Sequence, residues 1–285
     1  KFVQVAVAGA HGLHARPATN FVDIAKQYDA DVRVSYKGSV VDGKSLVSLL
    51  QLGVEGGATI KITAEGPDED DVLQALETAV ASGLGDEEEE PALAEIPAAV
   101  MAWEPKDVEK RIPGIAASPG LAIGTVRQFV HRRIVVEATA KDPVVEEKKL
   151  HKAIAEAQAE LDQLYQEVKE RSGKGQAAIF RAHAEFLNDA DLIEDTVAII
   201  GDGRSAGWAW QKVIEQRVEK MRAVDDEVIA GRAVDLGDVG NRVLKLLAGV
   251  VSDAPFVPEE PIILVAEDLT PSDTAALDPA QILGF

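Results

Sequence analysis

Cysteine is absent from this chain of 285 residues. That removes a disulfide framework, thiolate catalysis and cysteine-based zinc or iron–sulfur centres. It also fits a cytoplasmic location. Long apolar runs are missing: none approaches the roughly 18 residues a membrane-spanning helix needs, and Lys1-Phe2-Val3 opens no signal peptide. Positive charge is scarce, with 29 Lys and Arg against 49 Asp and Glu and a net charge of −20. Nucleic acid and anionic membrane are polyanions, so neither is an expected partner. No two of the five histidines have convincing metal-ligand spacing, so no metal is expected in this chain. What remains is ordinary globular composition, 46% hydrophobic and 27% charged, in a length that suggests about two domains. The chain starts without Met, which fits an excerpt of something longer.

Residues 2–8 alternate apolar and other residues as a half-buried strand does. Arg16 to Tyr28 places Ala18, Phe21, Val22 and Ala25 on one helical stripe, with Pro17 in the first turn. Asp31 to Tyr36 alternates again, and Lys37-Gly38 is a hairpin turn leading to Val40 and Val41. Ser45 to Leu52 reads as a short helix closed by Gly53. Ala58 to Ala64 reads as a strand, and Asp68 to Ala81 as a helix burying Val72, Leu73, Leu76, Ala79 and Val80. The order β-α-β-β-α-β-α over residues 1–84 describes an α+β domain, an antiparallel sheet with helices on one face.

Residues 85–111 contain four successive carboxylates, Glu87 to Glu90, followed by Pro91, Pro97 and Pro105. Like charge and proline together read as an extended linker, with an acidic docking tail as the alternative. About 28 flexible residues would span roughly 30 Å. From residue 112 a second unit begins with strand, Gly-Pro turn and strand up to Val130. In residues 143–249, Leu150, Ile154, Ala157, Leu161, Leu164 and Val168 form one apolar seam. Breaks at 173–175, 188–189 and 201–207 divide that stretch into a helical bundle. Ile262 to Ala266 is a buried-type strand, Thr270-Pro271-Ser272-Asp273 opens a helix, and Ile282 to Phe285 starts another strand. The expectation is a mostly helical bundle inserted in a truncated α/β domain, formed by residues 112–142 and 250–285.

Among the histidines, His151 should face solvent, His131 heads a basic patch with Arg132 and Arg133, and His183 lies on an apolar face with Ile179, Phe180 and Leu187, where a hydrogen-bonded core or interface residue is the plain reading. His14 differs. It stands in His11-Gly12-Leu13-His14-Ala15-Arg16-Pro17-Ala18, where the first helix begins. Backbone N–H groups at a helix start favour anions and disfavour an imidazolium. Arg16 adds a multidentate phosphate donor. A neutral imidazole amid anion-binding groups suits phosphoryl transfer, which depends on positioning and charge stabilisation. The alternative is a capping histidine. The glycines of 113–124 lack the spacing of a phosphate-binding or dinucleotide loop.

The segment Gly12-Leu13-His14-Ala15-Arg16-Pro17-Ala18 resembles the active-site signature of HPr, the phosphocarrier of the bacterial phosphoenolpyruvate:sugar phosphotransferase system. The resemblance continues through Gly43-Lys44-Ser45-Leu46 and Leu52-Gly53. It implies that His14 is phosphorylated on Nδ1 with help from Arg16, and that Ala15, Arg16, Pro17 and Ala18 surround the phosphate. Ser45 matches a serine that some members use for regulation, with a helix N-cap as its other reading. Gly114 to Gly124, Ile179-Phe180-Arg181-Ala182-His183, Asp235 to Val243 and Val265 to Asp273 resemble the N-terminal region of Enzyme I of the same system. In that family the helical insert docks HPr and the α/β part carries its own phosphohistidine. No histidine here matches that one, and the barrel binding phosphoenolpyruvate and Mg²⁺ would lie beyond Phe285. HPr ahead of Enzyme I resembles the multiphosphoryl transfer proteins, in which a IIA domain, often fructose-type, precedes HPr.

The resemblance implies Enzyme I and IIA domains as partners, no cofactor within this chain, and dimerisation only through the absent part. The docking face would comprise Thr19, Leu46, Val47 and Leu50 beside His14 and Arg16 on one side. Phe180, His183, Asp189 and Asp191 would form the other. Lys174 and Gly175 stand where the family has acidic residues, so the docking electrostatics are expected to be retuned. A regulatory binding module switched at Ser45 is the alternative to a relay.

Overall fold

The first strand follows directly from its alternation: in β1 (Phe2–Ala6) and the residue after it, Val5 and Val7 are buried. In this computed structural model, residues 1–8, 12–85, 120–130, 134–224, 227–249, 258, 260–267, 269–278 and 280–285 are described. The linker, Gly114 to Pro119, His11 and the His131 patch lie outside them.

Helix α1 (Ala15–Ala25) is followed by β2 (Asp31–Tyr36) and β3 (Ser39–Asp42). Lys37 and Gly38 both have positive φ, 46° and 87°. That pair of angles matches the right-handed twist of a tight hairpin. Helix α2 (Leu46–Gln51), strand β4 (Thr59–Glu65) and helix α3 (Glu69–Ala81) complete the unit. The antiparallel sheet has the order β1-β4-β2-β3. One of its faces supplies Val5, Val32, Val34, Tyr36, Ile60, Ile62 and Ala64 to the core. The helices answer with Ala18, Phe21, Val22, Val72, Leu76 and Val80. This is the β-α-β-β-α-β-α order read from the sequence. Asp68 clasps the start of β2, accepting from the N–H of Asp29 and of Ala30, both at 2.8 Å. Those bonds hold its carboxyl below the ordinary aspartate range.

The helical insert consists of α4 (Pro143–Ser172), α5 (Lys174–Leu187), α6 (Ala190–Gly201), α7 (Ala206–Arg222) and α8 (Glu227–Leu247). The α4 seam is buried at Leu150, Ile154, Ala157, Leu161 and Val168, with Leu164 partly covered. Caps fix the breaks. Asp142 accepts from Val144 N–H, Asp189 from Leu192 N–H, and Ser205 from Trp208 N–H. Glu146, buried, accepts from Ala206 N–H at 2.8 Å and tethers the start of α7 to α4. Trp210 is fully buried and donates to the Gly240 carbonyl at 2.9 Å. A Cβ on Gly240 would stand 2.5 Å from the Ile214 side chain, so α7 and α8 meet closely at this glycine and any larger residue would have to displace Ile214. Helix α9 (Pro271–Ala276) opens with a reciprocal Thr270/Asp273 capping box. It is held to α8, where Asp238 accepts from Ser272 N–H and Arg242 donates to Ser272 Oγ.

Two compact units emerge. One unites residues 1–86 with 131–256 and 268–277, so the α+β part and the helical insert belong to one body. The other comprises residues 87–130, 257–267 and 278–285. In it, β5 (Thr125–Gln128), β6 (Ile262–Val265) and β7 (Ile282–Gly284) form a parallel sheet in that order. The chain leaves at β5 and returns at β6 after the bundle, as expected of an insert in an α/β layer.

Candidate phosphoryl-transfer site

Gly12 adopts φ of +69°, and a Cβ there would stand 1.9 Å from the Val54 carbonyl oxygen. Only glycine allows this approach, which Leu13 N–H seals with a 3.0 Å bond to the same carbonyl. Leu13 is fully buried. The next residue, His14, emerges half-buried as the N-cap of α1, in extended conformation. Its side chain makes no cap hydrogen bond, which disfavours the capping reading. Arg16 is exposed, while Pro17 and Ala18 are buried. One correction concerns the expected phosphate shell. Ala18 N–H donates to the His14 carbonyl at 2.9 Å, and Pro17 has no N–H. Of the four residues, Ala15 and Arg16 therefore carry the N–H groups that stay outside the helical ladder.

The second element near this corner is α2. Gly43 packs its backbone on Val32, with N–H to the Val32 carbonyl at 2.7 Å, and Lys44 reaches the Tyr28 carbonyl at 2.6 Å. Ser45 then caps α2 by accepting from Ser48 N–H at 3.0 Å. Leu46, Val47, Ser48, Leu49 and Leu50 are all buried. A helix buried on every side needs a cover opposite its own sheet. That cover is the helical insert.

The contact is polar at its centre. Ser45 Oγ lies 3.0 and 2.9 Å from the two Asp189 carboxylate oxygens, donating to one of them. Val47 N–H donates to Asp189 Oδ2 at 2.9 Å, and Ser48 Oγ to Asp191 Oδ2 at 2.5 Å. Asp189 is fully buried, and burial pushes its carboxyl above the ordinary range. The Val47 and Ser45 bonds pull it down, and the neighbouring Asp191 charge pushes it further up. At the rim, Lys26 Nζ reaches Glu185 at 3.3 Å and the Asn188 carbonyl at 3.2 Å. Arg181 stands 3.5 Å from Asp23. A Cβ on Gly53 would lie 2.9 Å from Val224, so backbone and side chain meet closely there. Thr19 is buried.

Of the residues expected on the insert side, Asp189 and Asp191 meet α2. His183 does not. It is completely buried, with ring nitrogens 3.7 Å from Asp235 and 3.9 Å from Asp238 on α8. Phe180 packs edge-on against its ring and Phe186 lies alongside. The reason is helical phase: Arg181 and Glu185 share the face of α5 toward α1, and position 183 lies opposite. Burial would raise the Asp235 carboxyl, but His183 and Arg232 hold it below its ordinary value. His151 is exposed, as expected, beside Glu147 at 3.7 Å. The rim residues Asp23, Lys26, Arg181 and Glu185 escaped the sequence reading. Their signal was a polar pair three or four apart on each of two helices otherwise striped with apolar residues.

Geometry and sequence together define an HPr-like α+β corner carried on, and covered by, a helical insert. Residues 3–82 match the family described as "PTS HPr component phosphorylation site" and residues 113–232 match "PEP-utilising enzyme, N-terminal". Over 99% of this chain there is 43% identity with a multiphosphoryl transfer protein of Rhodobacter capsulatus, and over 98% there is 38% identity with one from Xanthomonas campestris. The phosphoryl donor subunit of a phosphoenolpyruvate-dependent dihydroxyacetone kinase from Klebsiella michiganensis is 31% identical over 99% of the chain. A solution structure of Enzyme I is 36% identical, covering 60% of this chain and 71% of that one, with a TM-score of 0.48. The chain belongs to the multiphosphoryl transfer family of the phosphotransferase system, with HPr and Enzyme I N-terminal parts in tandem. It spans about a third of the length of the two multiphosphoryl transfer proteins, 35% and 34%.

Proposed function

We propose that His14 accepts a phosphoryl group from a phosphohistidine of Enzyme I, itself charged by phosphoenolpyruvate, and passes it to a IIA domain of the fructose type for sugar uptake. The observation that carries this reading is the half-buried imidazole at the N-cap of α1, with Arg16 two positions on. The ring nitrogen attacks phosphorus as the donor's P–N bond breaks, and a new P–N bond forms on His14. Arg16 and the N–H groups of Ala15 and Arg16 offset the charge on the equatorial oxygens. The acceptor histidine repeats the exchange in the forward direction. Enzyme I would dock through Asp189 and Asp191, with Leu46, Val47 and Leu50 covered. Phosphoenolpyruvate alone should not charge this chain. An intact Enzyme I with phosphoenolpyruvate should produce an acid-labile phosphohistidine signal in ³¹P NMR. A signal that persists in His14→Ala, or none in the native chain, refutes the relay.

A second reading, regulation through Ser45, is favoured by one contact. The Ser45 hydroxyl is buried against the Asp189 carboxylate. A phosphate there would place two anions in a closed site, and the covered arrangement would open. Ser45→Asp should expose α2 while leaving its fold intact, which amide exchange at Val47 would register.

A further inference from the structure

The rim of the contact between the α+β part and the insert has crossed polarity. On α1, acidic Asp23 faces basic Arg181 of α5 at 3.5 Å; one turn further, basic Lys26 faces acidic Glu185 at 3.3 Å. Neither long-range attraction nor a single-signed patch explains docking here. Residues 1–84 hold seven Lys and Arg against eleven Asp and Glu, and the chain as a whole is strongly acidic. Two acidic bodies gain no attraction at long range, where salt screens their charges, and repel within a Debye length, so recognition rests on contacts made at close range. The centre supplies adhesion through α2 and Asp189. The rim sits where one surface can reject another, because a wrong sign there sets like charges against each other. Lys26 also donates to the Asn188 carbonyl, so its position is fixed by two partners. Asn188 in turn accepts from Gln158 of α4. Glu185 and Lys26 are the more enclosed pair, with side chains 18% and 32% exposed; Asp23 is 32% and Arg181 70% exposed.

We infer that these crossed pairs, Asp23 with Arg181 and Lys26 with Glu185, are the specificity determinant by which the insert selects the phosphocarrier unit of its own chain over phosphocarriers whose rim lacks this order of charge. The inference rests on the proposed relay, because docking matters only if His14 exchanges phosphate. The insert then reads an acid-then-base order on α1, and the buried Asp189 reads α2 behind it. A phosphocarrier with a lysine in place of Asp23 would meet Arg181 with like charge.

Amide exchange of Val47 in the whole chain tests this, since its N–H is sheltered by Asp189 only while the two parts are docked. Arg181→Glu should speed that exchange several-fold, and Asp23→Arg should do the same. The double swap, Asp23→Arg with Arg181→Glu, should return it to within about twofold of the native rate. Additive losses in the double variant, or no change in the singles, overturn the inference. Rates should not depend on protein concentration; if dilution speeds exchange, docking is between copies and the own-chain selection fails. Phosphorylation of His14 by intact Enzyme I, followed in parallel by ³¹P NMR in the native chain, separates failure of the relay from failure of the charge code.

Discussion

His14 and His183 are the same residue in opposite settings, and the contrast shows what makes an imidazole useful. His14 ends a Gly-Leu turn at a helix start, half-buried, with exposed Arg16 nearby. His183 sits mid-helix, completely buried, between two carboxylates of α8 and two phenylalanine rings. A group-transfer residue must meet a reagent from outside, and only the first can. The second links the docking helix α5 to α8, which also holds the start of α9 through Asp238 and Arg242. In the proposed relay the first histidine exchanges a group, while the second is built into the scaffold.

The sharpest way to break this comparison is to remove each ring. His14→Ala should abolish phosphohistidine formation at a much smaller cost in thermal stability than His183→Ala, because the His14 side chain is only partly buried. His183→Ala should do the reverse. It opens a cavity and leaves Asp235 and Asp238 short of a neighbour in the core, at a cost of about 2–4 kcal/mol. Calorimetry and ³¹P NMR on both variants decide it, and loss of phosphorylation in a folded His183 variant would blur the distinction.

A smaller effect tests the contact between the two parts. Asp189→Ala leaves the Ser45 hydroxyl and Val47 N–H buried without their acceptor and removes the α6 cap, a loss of about 2–3 kcal/mol. Limited proteolysis should then cut at α2. Ser45→Ala is milder, about 1 kcal/mol, since Val47 still donates to Asp189.

Acid sets two carboxylates against each other. The Asp189 carboxyl is raised in the docked state, mainly by burial, so docking takes up a proton. Docking therefore tightens as pH falls through that raised range and levels off below the ordinary value near 4. Asp23 is likewise raised, by burial and by Glu185, so acid also removes the charge that faces Arg181 and weakens that rim pair. Asp68 is lowered by its bonds to Asp29 and Ala30. Its clasp is present above the ordinary aspartate range and lost as pH falls through its depressed value. Amide exchange between pH 7 and pH 4 should show Val47 becoming more protected while Ala30 keeps its protection, which it should lose only below that range. Matching trends at the two amides would contradict these assignments.

Much of the fold was legible because its signals are local. The Lys37-Gly38 turn, the α4 seam and the helix breaks at Gly173, Asn188 and Gly203 are set by neighbours within a few residues. The His14 corner was legible because Gly12, Pro17 and the helix start lie in one short stretch. The phosphate shell was overdrawn, since which N–H groups stay outside the ladder depends on where the first helical bond closes, and it closes at Ala18. His183 was placed on the docking side because an apolar face does not declare which neighbour covers it.

Sequence alone determined the alternation of strands and helices, the acidic balance and the reactive corner, because these follow from period, composition and turn chemistry over short spans. Only the tertiary structure decided that α2 is covered by the insert, that Asp189 reads Ser45 from 144 residues away, and that the rim pairs cross in sign. Those contacts join residues far apart in the chain, and which distant surfaces meet is fixed by the packing of whole helices, not by any local pattern.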